Sequence, residues 1–297
     1  MSLVLLNPRA AGGRAARLQG PIAAWLRVHR PGVRLAVPEC PDDAIALVER
    51  SPRGSRVVVA GGDGTVHRLL PALIAGDCEL GLVPAGSGND TARALGVARL
   101  RTEAALALAF EGAARPWDVG DCAFAGRQVL FASSLAAGFD AAVGLRALRG
   151  PVWLAGQPRY LWATLREIAA LRAWPLRVRL DGEVAHAGPA LFASVLNTPT
   201  YGAGLRAVPK ARADDGRLDA LVAGRFGRAG ALAMLPRLMA GTHLGHRAVQ
   251  SRSIAEMIVD SEHPVPLAGD GEPAGYARSW RVRVRPGALQ AVAAPGA

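Results

Sequence analysis

Three short stretches of this chain each join an apolar, strand-like run to a turn of glycine and small polar residues. Asn7-Pro8-Arg9-Ala10-Ala11-Gly12-Gly13-Arg14 follows the run at 3–6, Gly61-Gly62-Asp63-Gly64-Thr65 follows 56–60, and Pro84-Ala85-Gly86-Ser87-Gly88-Asn89-Asp90 follows 80–83. Glycine in such turns permits unusual backbone angles and lets main-chain N–H groups approach a ligand closely. A helix beginning after Gly61 adds the positive end of its dipole. Thr65 has a hydroxyl that can donate to phosphate or cap that helix. Asp63 suits a magnesium ion, a water or a ribose. Each turn also reads as an ordinary strand-to-helix connection, but three at one sheet edge predict a phosphate cradle. Arg9, Arg14, Ser87 and Asn89 are its side-chain donors, and Asp90 is a candidate helix cap. The cradle does not use lysine: Lys210 is the only one, and it lacks the Gly-Lys-Ser/Thr context of a Walker loop.

The elements that must position these loops alternate in type. Apolar runs at 3–6, 33–37, 56–60 and 80–83 read as strands. Leu18, Ile22, Trp25, Leu26 and His29 recur at helical intervals, 44–48 reads as a helix started by Pro41-Asp42-Asp43, and 69–74 continues as another. Strands apolar throughout and separated by helices predict an α/β domain over 1–116, a doubly wound parallel sheet covered on both faces. Ligands bind at the carboxyl ends of such strands, where the three turns fall. From residue 117 the texture changes to short strand-like runs at 129–133, 176–180, 190–196, 218–222, 257–259 and 281–284, with one helix near 160–171. Asp181-Gly182 and Asp215-Gly216 are hairpin-type turn pairs. The second half, 117–297, is therefore expected to be a mainly antiparallel, sandwich-type β domain.

Composition limits the partners. Of 297 residues, 51% are hydrophobic and 20% charged, a globular balance with room for two domains. Lys plus Arg outnumber Asp plus Glu by 35 to 24, a net charge of +11. Arginine grips phosphate with a planar fork, so the excess is compatible with nucleotide, anionic membrane or nucleic acid. It is equally compatible with a bias toward Ala, Gly and Arg that leaves arginines solvated. No basic run with interleaved aromatics is present, which argues against nucleic acid. Cys40, Cys78 and Cys122 are scattered, with no Cys-x-x-Cys, so neither a disulfide framework nor a cysteine zinc site is expected. That usage suits the cytosol. The first apolar run is too short for a signal peptide, and no stretch reaches the roughly 18 apolar residues of a spanning helix. Membrane contact is expected to be peripheral.

The three loops resemble the ATP-binding loops of the diacylglycerol kinase catalytic family, which includes bacterial lipid kinases and the sphingosine and ceramide kinases. Gly61–Thr65 by itself is shared with NAD kinases and, more distantly, phosphofructokinases. The second half separates these. Ala136-Ala137-Gly138-Phe139-Asp140-Ala141 resembles the lipid kinases' Gly-x-Asp-Ala element. Asn197-Thr198-Pro199-Thr200-Tyr201-Gly202-Ala203-Gly204 with Val208-Pro209 is similar to their Asn-to-Gly-rich strand and Pro turn. Asp214-Asp215-Gly216-Arg217-Leu218-Asp219 and Asp270-Gly271-Glu272-Pro273 complete the series, in the family's order over nearly the whole chain.

The resemblance implies ATP-dependent phosphorylation of a lipid hydroxyl, on diacylglycerol, a sphingoid base or a phosphatidylglycerol-type acceptor. It assigns the nucleotide to Asn7, Pro8, Arg9, Gly12, Gly13, Gly61, Gly62, Asp63, Gly64, Thr65, Val66, His67 and Ser87. It assigns catalysis to Asp270 and Glu272, with Glu272 as the base. It assigns a structural magnesium ion to Asp215 and the main-chain carbonyls of Arg212 and Arg217. This is coherent physically, because phosphoryl transfer needs in-line positioning and charge stabilisation more than covalent chemistry. One oriented carboxylate suffices as base, and oxygen ligands suit magnesium. Asp-Gly-Glu occurs at both 181–183 and 270–272. The first reads as a hairpin turn and the second as loop, and the resemblance selects the second. Pro38 stands where many members have a nucleotide-contacting threonine, His67 replaces the usual asparagine, and Ala10 and Ala11 replace a serine.

Other residues carry weaker readings. His243 and His246 can share a helix face, yet no third metal ligand matches their spacing, so a solvated or capping role is expected. Trp153, Leu154, Tyr160, Leu161 and Trp162 mix with Arg146, Arg149, Arg159 and Arg166, either as a membrane-facing lip or as a helix packing into the β domain. Two further functions stay open: an NAD kinase-like enzyme of a small soluble substrate, and a catalytically weak nucleotide- or lipid-binding module.

Overall fold

The apolar runs of the first third become strands, each followed by a helix. They are β1 (Ser2–Leu6), α1 (Gln19–His29), β2 (Arg34–Ala36), α2 (Pro41–Glu49), β3 (Arg56–Gly61), α3 (Asp63–Ala75) and β4 (Glu79–Pro84), then α4 (Asp90–Ala94) and α5 (Thr102–Glu111). The computed structural model describes residues 2–151, 153–154 and 156–296. The remaining elements are β5 (Ala114–Phe124), β6 (Arg127–Phe131), β7 (Ser134–Ala137), α6 (Phe139–Leu148), α7 (Gln157–Ala169), β8 (Trp174–Leu180) and β9 (Glu183–Leu196). They continue with β10 (Leu218–Gly224), α8 (Arg228–Ala240), β11 (Val249–Ile254), β12 (Glu256–Gly269) and β13 (Glu272–Val292).

The chain divides into two compact units, Met1–Trp117 with Gly287–Ala297, and Asp118–Pro286. The second half therefore does not stay together as 117–297: its last residues group with the first unit. The physical reason is pairing, since Gln290 and Ala291 of β13 lie parallel to Glu79 and Leu80 of β4.

Within the first unit β2, β1, β3 and β4 are neighbours in that order, all parallel. Val57, Val58, Val59 and Ala60 are fully buried, so this sheet has two covered faces. Val58 and Ala60 share a core with Ile22 and Leu26 of α1 and Leu106 of α5. The alternate residues Val57 and Val59 point to the opposite face. From β1 the chain goes to β2 on one side, then crosses back to β3 on the other. The carboxyl ends of β1 and β3 flank that reversal of direction, the point where such sheets open a ligand crevice.

The second unit is antiparallel. β11, β10, β9, β7, β12 and β13 neighbour one another in that order, while β8 pairs with both β12 and β9 and β5 pairs with β6. Trp280, Phe131, Met257, Val259, Val178 and Leu267 fill the core. The sandwich class is as expected, but three helices interrupt it rather than one. The expected helix near 160–171 is α7, and α6 and α8 are additional. In α8, Gly230 and Pro236 punctuate a run of Ala, Leu and Met, and the helix propensity of that run prevails over the proline.

Gly120 lies opposite Phe131 in the β5–β6 pair. A β-carbon there would sit 1.9 Å from the Phe131 ring. Gly120→Ala is therefore expected to cost about 1–3 kcal/mol in urea unfolding. Gly20→Ala, where a β-carbon meets nothing within 4 Å, should be neutral or slightly stabilising. Equal midpoints for both variants would refute this account of the β5–β6 packing.

Candidate active site

The loops after β1, β3 and β4 come together in the first unit, and side chains tie them. Asn7 Nδ2 donates to Thr65 Oγ1 at 2.8 Å, and Asn7 Oδ1 accepts from Arg9 N at 3.0 Å. Ala85 N donates to Gly61 O at 2.8 Å. The glycines of the β3 and β4 loops are required by close approach, not by unusual angles. A β-carbon on Gly62 would stand 2.6 Å from Gly86 Cα, and one on Gly61 would strike the Thr65 side chain at 2.7 Å. The β1 loop uses left-handed backbone at three successive residues: Ala11, Gly12 and Gly13 all have positive φ, between 52° and 89°.

Several side chains take other tasks than expected. Asp63 Oδ2 and Oδ1 accept from Asp90 N and Thr91 N at 3.0 and 2.9 Å, so Asp63 caps α4 from across the loops. Asp90 is not the cap of its helix; it is buried and pairs with Arg93 at 2.8 Å. Asn89, left-handed at φ 58°, exchanges two hydrogen bonds with the main chain of Gly86 and so closes its own loop instead of facing a ligand. Val66 is fully buried and its N–H bonds to Gly62 O, which leaves it no direct contact to offer. Pro8, Gly64 and His67 are half-buried beside these loops, and Ser87, Arg9, Gly12 and Gly13 are exposed.

In the second unit, Asp270-Gly271 is a tight turn, not an open loop. Asp270 (φ 48°) and Gly271 (φ 82°) join Gly269 of β12 to Glu272 of β13, and Asp181 (φ 48°) and Gly182 (φ 88°) join β8 to β9 in the same way. Both Asp-Gly-Glu segments are thus hairpins with positive φ at both central residues. Their carboxylates differ in surroundings. Asp270 is buried and accepts from the N–H groups of Ala132, Ser133 and Ser134 and from Ser133 Oγ, at 2.7–3.1 Å. That makes Asp270 the anchor of the segment entering β7. Glu272 is half-buried at the start of β13.

Asp215 lies in an exposed loop between β9 and β10, not in a hairpin, and its Oδ1 accepts from Arg217 N at 3.0 Å. Buried Asp118 holds that loop, through Oδ2 to Gly216 N at 2.7 Å and through its N–H to Ala213 O. The guanidinium of Arg212 pairs with Asp214, and that of Arg217 with Asp181. Among the described residues no three His, Cys, Asp or Glu side chains gather as a metal site. His243 is buried rather than solvated, with Nε2 2.8 Å from Ala207 O, while His246 Nδ1 accepts from Ala248 N.

A cavity of about 400 Å³ opens between α6, α7, α8 and the strands behind them. Leu191, Phe192, Leu221, Met234 and Leu238 are among its apolar walls. Its polar groups are few: Ser134, Asp140, Tyr160, Thr164, Tyr201, Gln157 and His243, and its lining includes Gly271, the neighbour of Glu272. Asp140 Oδ2 accepts from Ser194 Oγ, and Oδ1 from Ala141 N at 2.8 Å. Burial pushes the Asp140 carboxyl up to about 6 against the lowering effect of these bonds. Of the aromatic and apolar residues singled out in the sequence, Tyr160 and Trp162 pack on Val143 and Ala147 of α6 and not into the β core, while Trp153 and Leu161 are exposed.

With this geometry in place, comparison with known proteins is informative. The family of the diacylglycerol kinase catalytic domain matches residues 1–122, and that of the YegS C-terminal NAD kinase beta sandwich-like domain matches 133–293. A diacylglycerol kinase of Mycobacterium tuberculosis (strain H37Rv) is 34% identical, over 81% of this chain and 78% of its own. The chain belongs to the diacylglycerol kinase family. Another relative in that family, the diacylglycerol kinase of Bacillus subtilis (strain 168), is 25% identical over 74% of this chain and 71% of its own. The crystal structure of a diacylglycerol kinase from Bacillus anthracis str. Sterne shares the fold at a TM-score of 0.76, with 22% identity over 99% of this chain and 97% of that one. An NAD kinase from Archaeoglobus fulgidus, solved in complex with ATP, aligns at 0.53 with 14% identity over 98% and 92%. Family membership makes this chain a kinase, with nucleotide as a substrate.

Asp118, Ser194 and the cavity role of Asp140 escaped the sequence reading. Asp140 was visible within its Gly-x-Asp-Ala element, but nothing local marked it as the carboxylate of an apolar cavity. Its raised pKa has a consequence for stability. The folded form holds the proton more tightly than the unfolded chain, so this group's stabilising contribution is full below about pH 4 and fades as pH rises through about 6. Asp140→Asn should therefore gain stability relative to the parent between pH 4 and 7, as followed by urea melts. A pH-independent difference would refute it.

Proposed function

We propose that this kinase transfers the γ-phosphoryl group of ATP to the hydroxyl of a lipid of the diacylglycerol, sphingoid-base or phosphatidylglycerol type. The observation that carries the reading is the apolar cavity of the second unit, whose lining runs to Gly271. A cavity walled by Leu, Met and Phe suits acyl chains, and a soluble dinucleotide would leave those walls unsatisfied. The residue next to Gly271 is Glu272, the carboxylate assigned as base.

In this reading the loops of the first unit hold the nucleotide with main-chain N–H groups from the β1, β3 and β4 turns, helped by Arg9 and Arg14. The lipid's hydroxyl oxygen attacks the γ-phosphorus while Glu272 takes its proton. The new O–P bond forms as the bond to the β–γ bridging oxygen breaks, and ADP carries away that electron pair. Asp270 keeps the turn that aims Glu272. Asp215, whose Oδ2 has no hydrogen-bond donor among the described residues, with the carbonyls of Arg212 and Arg217, offers the hard oxygens that magnesium takes. Magnesium bound there supplies a fixed positive charge to that loop. Association with the membrane is peripheral and lasts for turnover.

Glu272→Gln is expected to lower phosphoryl transfer to diacylglycerol in mixed micelles by a factor of about 100 or more, the usual value of a general base. ATP binding and the urea midpoint should stay at parent levels. Asp270→Ala should instead unfold at lower urea, because four donors lose their acceptor. Full turnover by Glu272→Gln would remove it as base. Equal turnover on NAD and on no lipid would remove the acceptor class.

A further inference from the structure

A second cavity, of about 440 Å³, lies in the second unit where the chain enters α8. Its charged lining residues are Arg172, Arg225 and Arg228, and no carboxylate lines it. None of these three guanidinium groups has a hydrogen bond or ion pair within the described residues. All three are exposed, whereas Arg146, Arg179, Arg212, Arg217 and Arg252 of the same unit pair with acids. Three like charges around one hollow repel each other, and an anion between them relieves that repulsion.

Two further observations point the same way. The 13-residue helix α8 starts at this cavity with Gly227 as N-cap, without a side-chain cap and with no acidic residue in its first turn. Its first N–H groups and the positive end of its dipole are therefore left to another acceptor. In addition, Arg228, Leu232, Leu235 and Met239 follow one another at intervals of four, three and four residues, a single stripe along α8. Leu232 and Met239 are 46% and 62% exposed. Leu235 and Met239 also line the apolar cavity, and Leu191 and Phe226 are common to both cavities.

We propose that the arginine-lined cavity binds a phosphate group, and that the group belongs to an anionic phospholipid whose chains lie along the α8 stripe. The arginines take the phosphate oxygens as forked donors, and the apolar stripe takes the first part of the acyl region. This site contains none of the residues assigned to nucleotide, base or metal. It shares Leu191, Phe226, Leu235 and Met239 with the acceptor cavity, so its test measures binding, not turnover, and uses an anionic lipid that is not a proposed acceptor.

The test uses the full chain with vesicles of phosphatidylcholine, with and without one fifth phosphatidylserine, and separately with inorganic phosphate. Arg225→Gln/Arg228→Gln is compared with Arg34→Gln/Arg50→Gln, which removes the same charge from exposed positions of the first unit. Binding to anionic vesicles is expected to weaken about tenfold or more in the first variant, the worth of one lost charge-assisted hydrogen bond, and to change little in the second. Thermal melts check that both variants are folded. Competition by millimolar inorganic phosphate that is lost in Arg225→Gln/Arg228→Gln, without any preference for anionic vesicles, would keep the phosphate site but overturn its assignment to lipid. Equal weakening by both variants, or none by either, would overturn the site.

Discussion

Gly62 and Gly86 approach so closely that neither can carry a β-carbon. The rest of the loop edge in the first unit depends on this contact. It presses the turn after β3 against the turn after β4, backbone on backbone. The remaining tethers fix the arrangement: Thr65 to Asn7, and Asp63 to the first two N–H groups of α4. A phosphate cradle of this construction draws its positive potential from peptide dipoles. That accounts for how a kinase can have one lysine, at a position remote in sequence from every nucleotide loop.

In the second unit a comparable economy holds at one hairpin turn. Two carboxylates two residues apart are separated by environment. Four donors fix Asp270, and Glu272 stands at the head of a strand with its side chain half-buried. In the proposed mechanism the reacting carboxylate is supported by the residue that opens the same turn. The arginine surplus has a similar division. Some arginines pair with acids and hold strands together, as Arg179 does with Asp260, while Arg172, Arg225 and Arg228 line one hollow without an acid.

Much of this was legible in the sequence because burial and turn chemistry are local. The four strands of the first unit are mostly apolar and three of them stop at Gly-rich or Asn-Pro turns, so their places could be read within a residue or two. The reasons for the glycines could not be read. Gly62 and Gly86 answer to each other across two loops, and no short window of sequence contains both. The same holds for Asp63, whose acceptor role lies 27 and 28 residues away, and for Asp270, which reaches back to 132–134 across more than 130 residues. Helix α8 was hidden for a different reason: glycine and proline are local signals, and here they point the wrong way. The second Asp-Gly-Glu was read as loop because its flanks are rich in glycine and proline, yet β12 and β13 pair right up to it.

The passage of β13 from one unit into the other bears on how the protein is made. Its residues Gln290 and Ala291 lie beside β4, so the outer edge of the first sheet stays bare until more than 200 further residues have left the ribosome. Unpaired strand edges invite wrong partners, and domains of most nascent chains fold as they emerge. This one is barred from finishing early: the nucleotide-binding half is complete only after the entire second unit has been synthesised. Loss of the last dozen residues would then harm the beginning of the chain rather than its end.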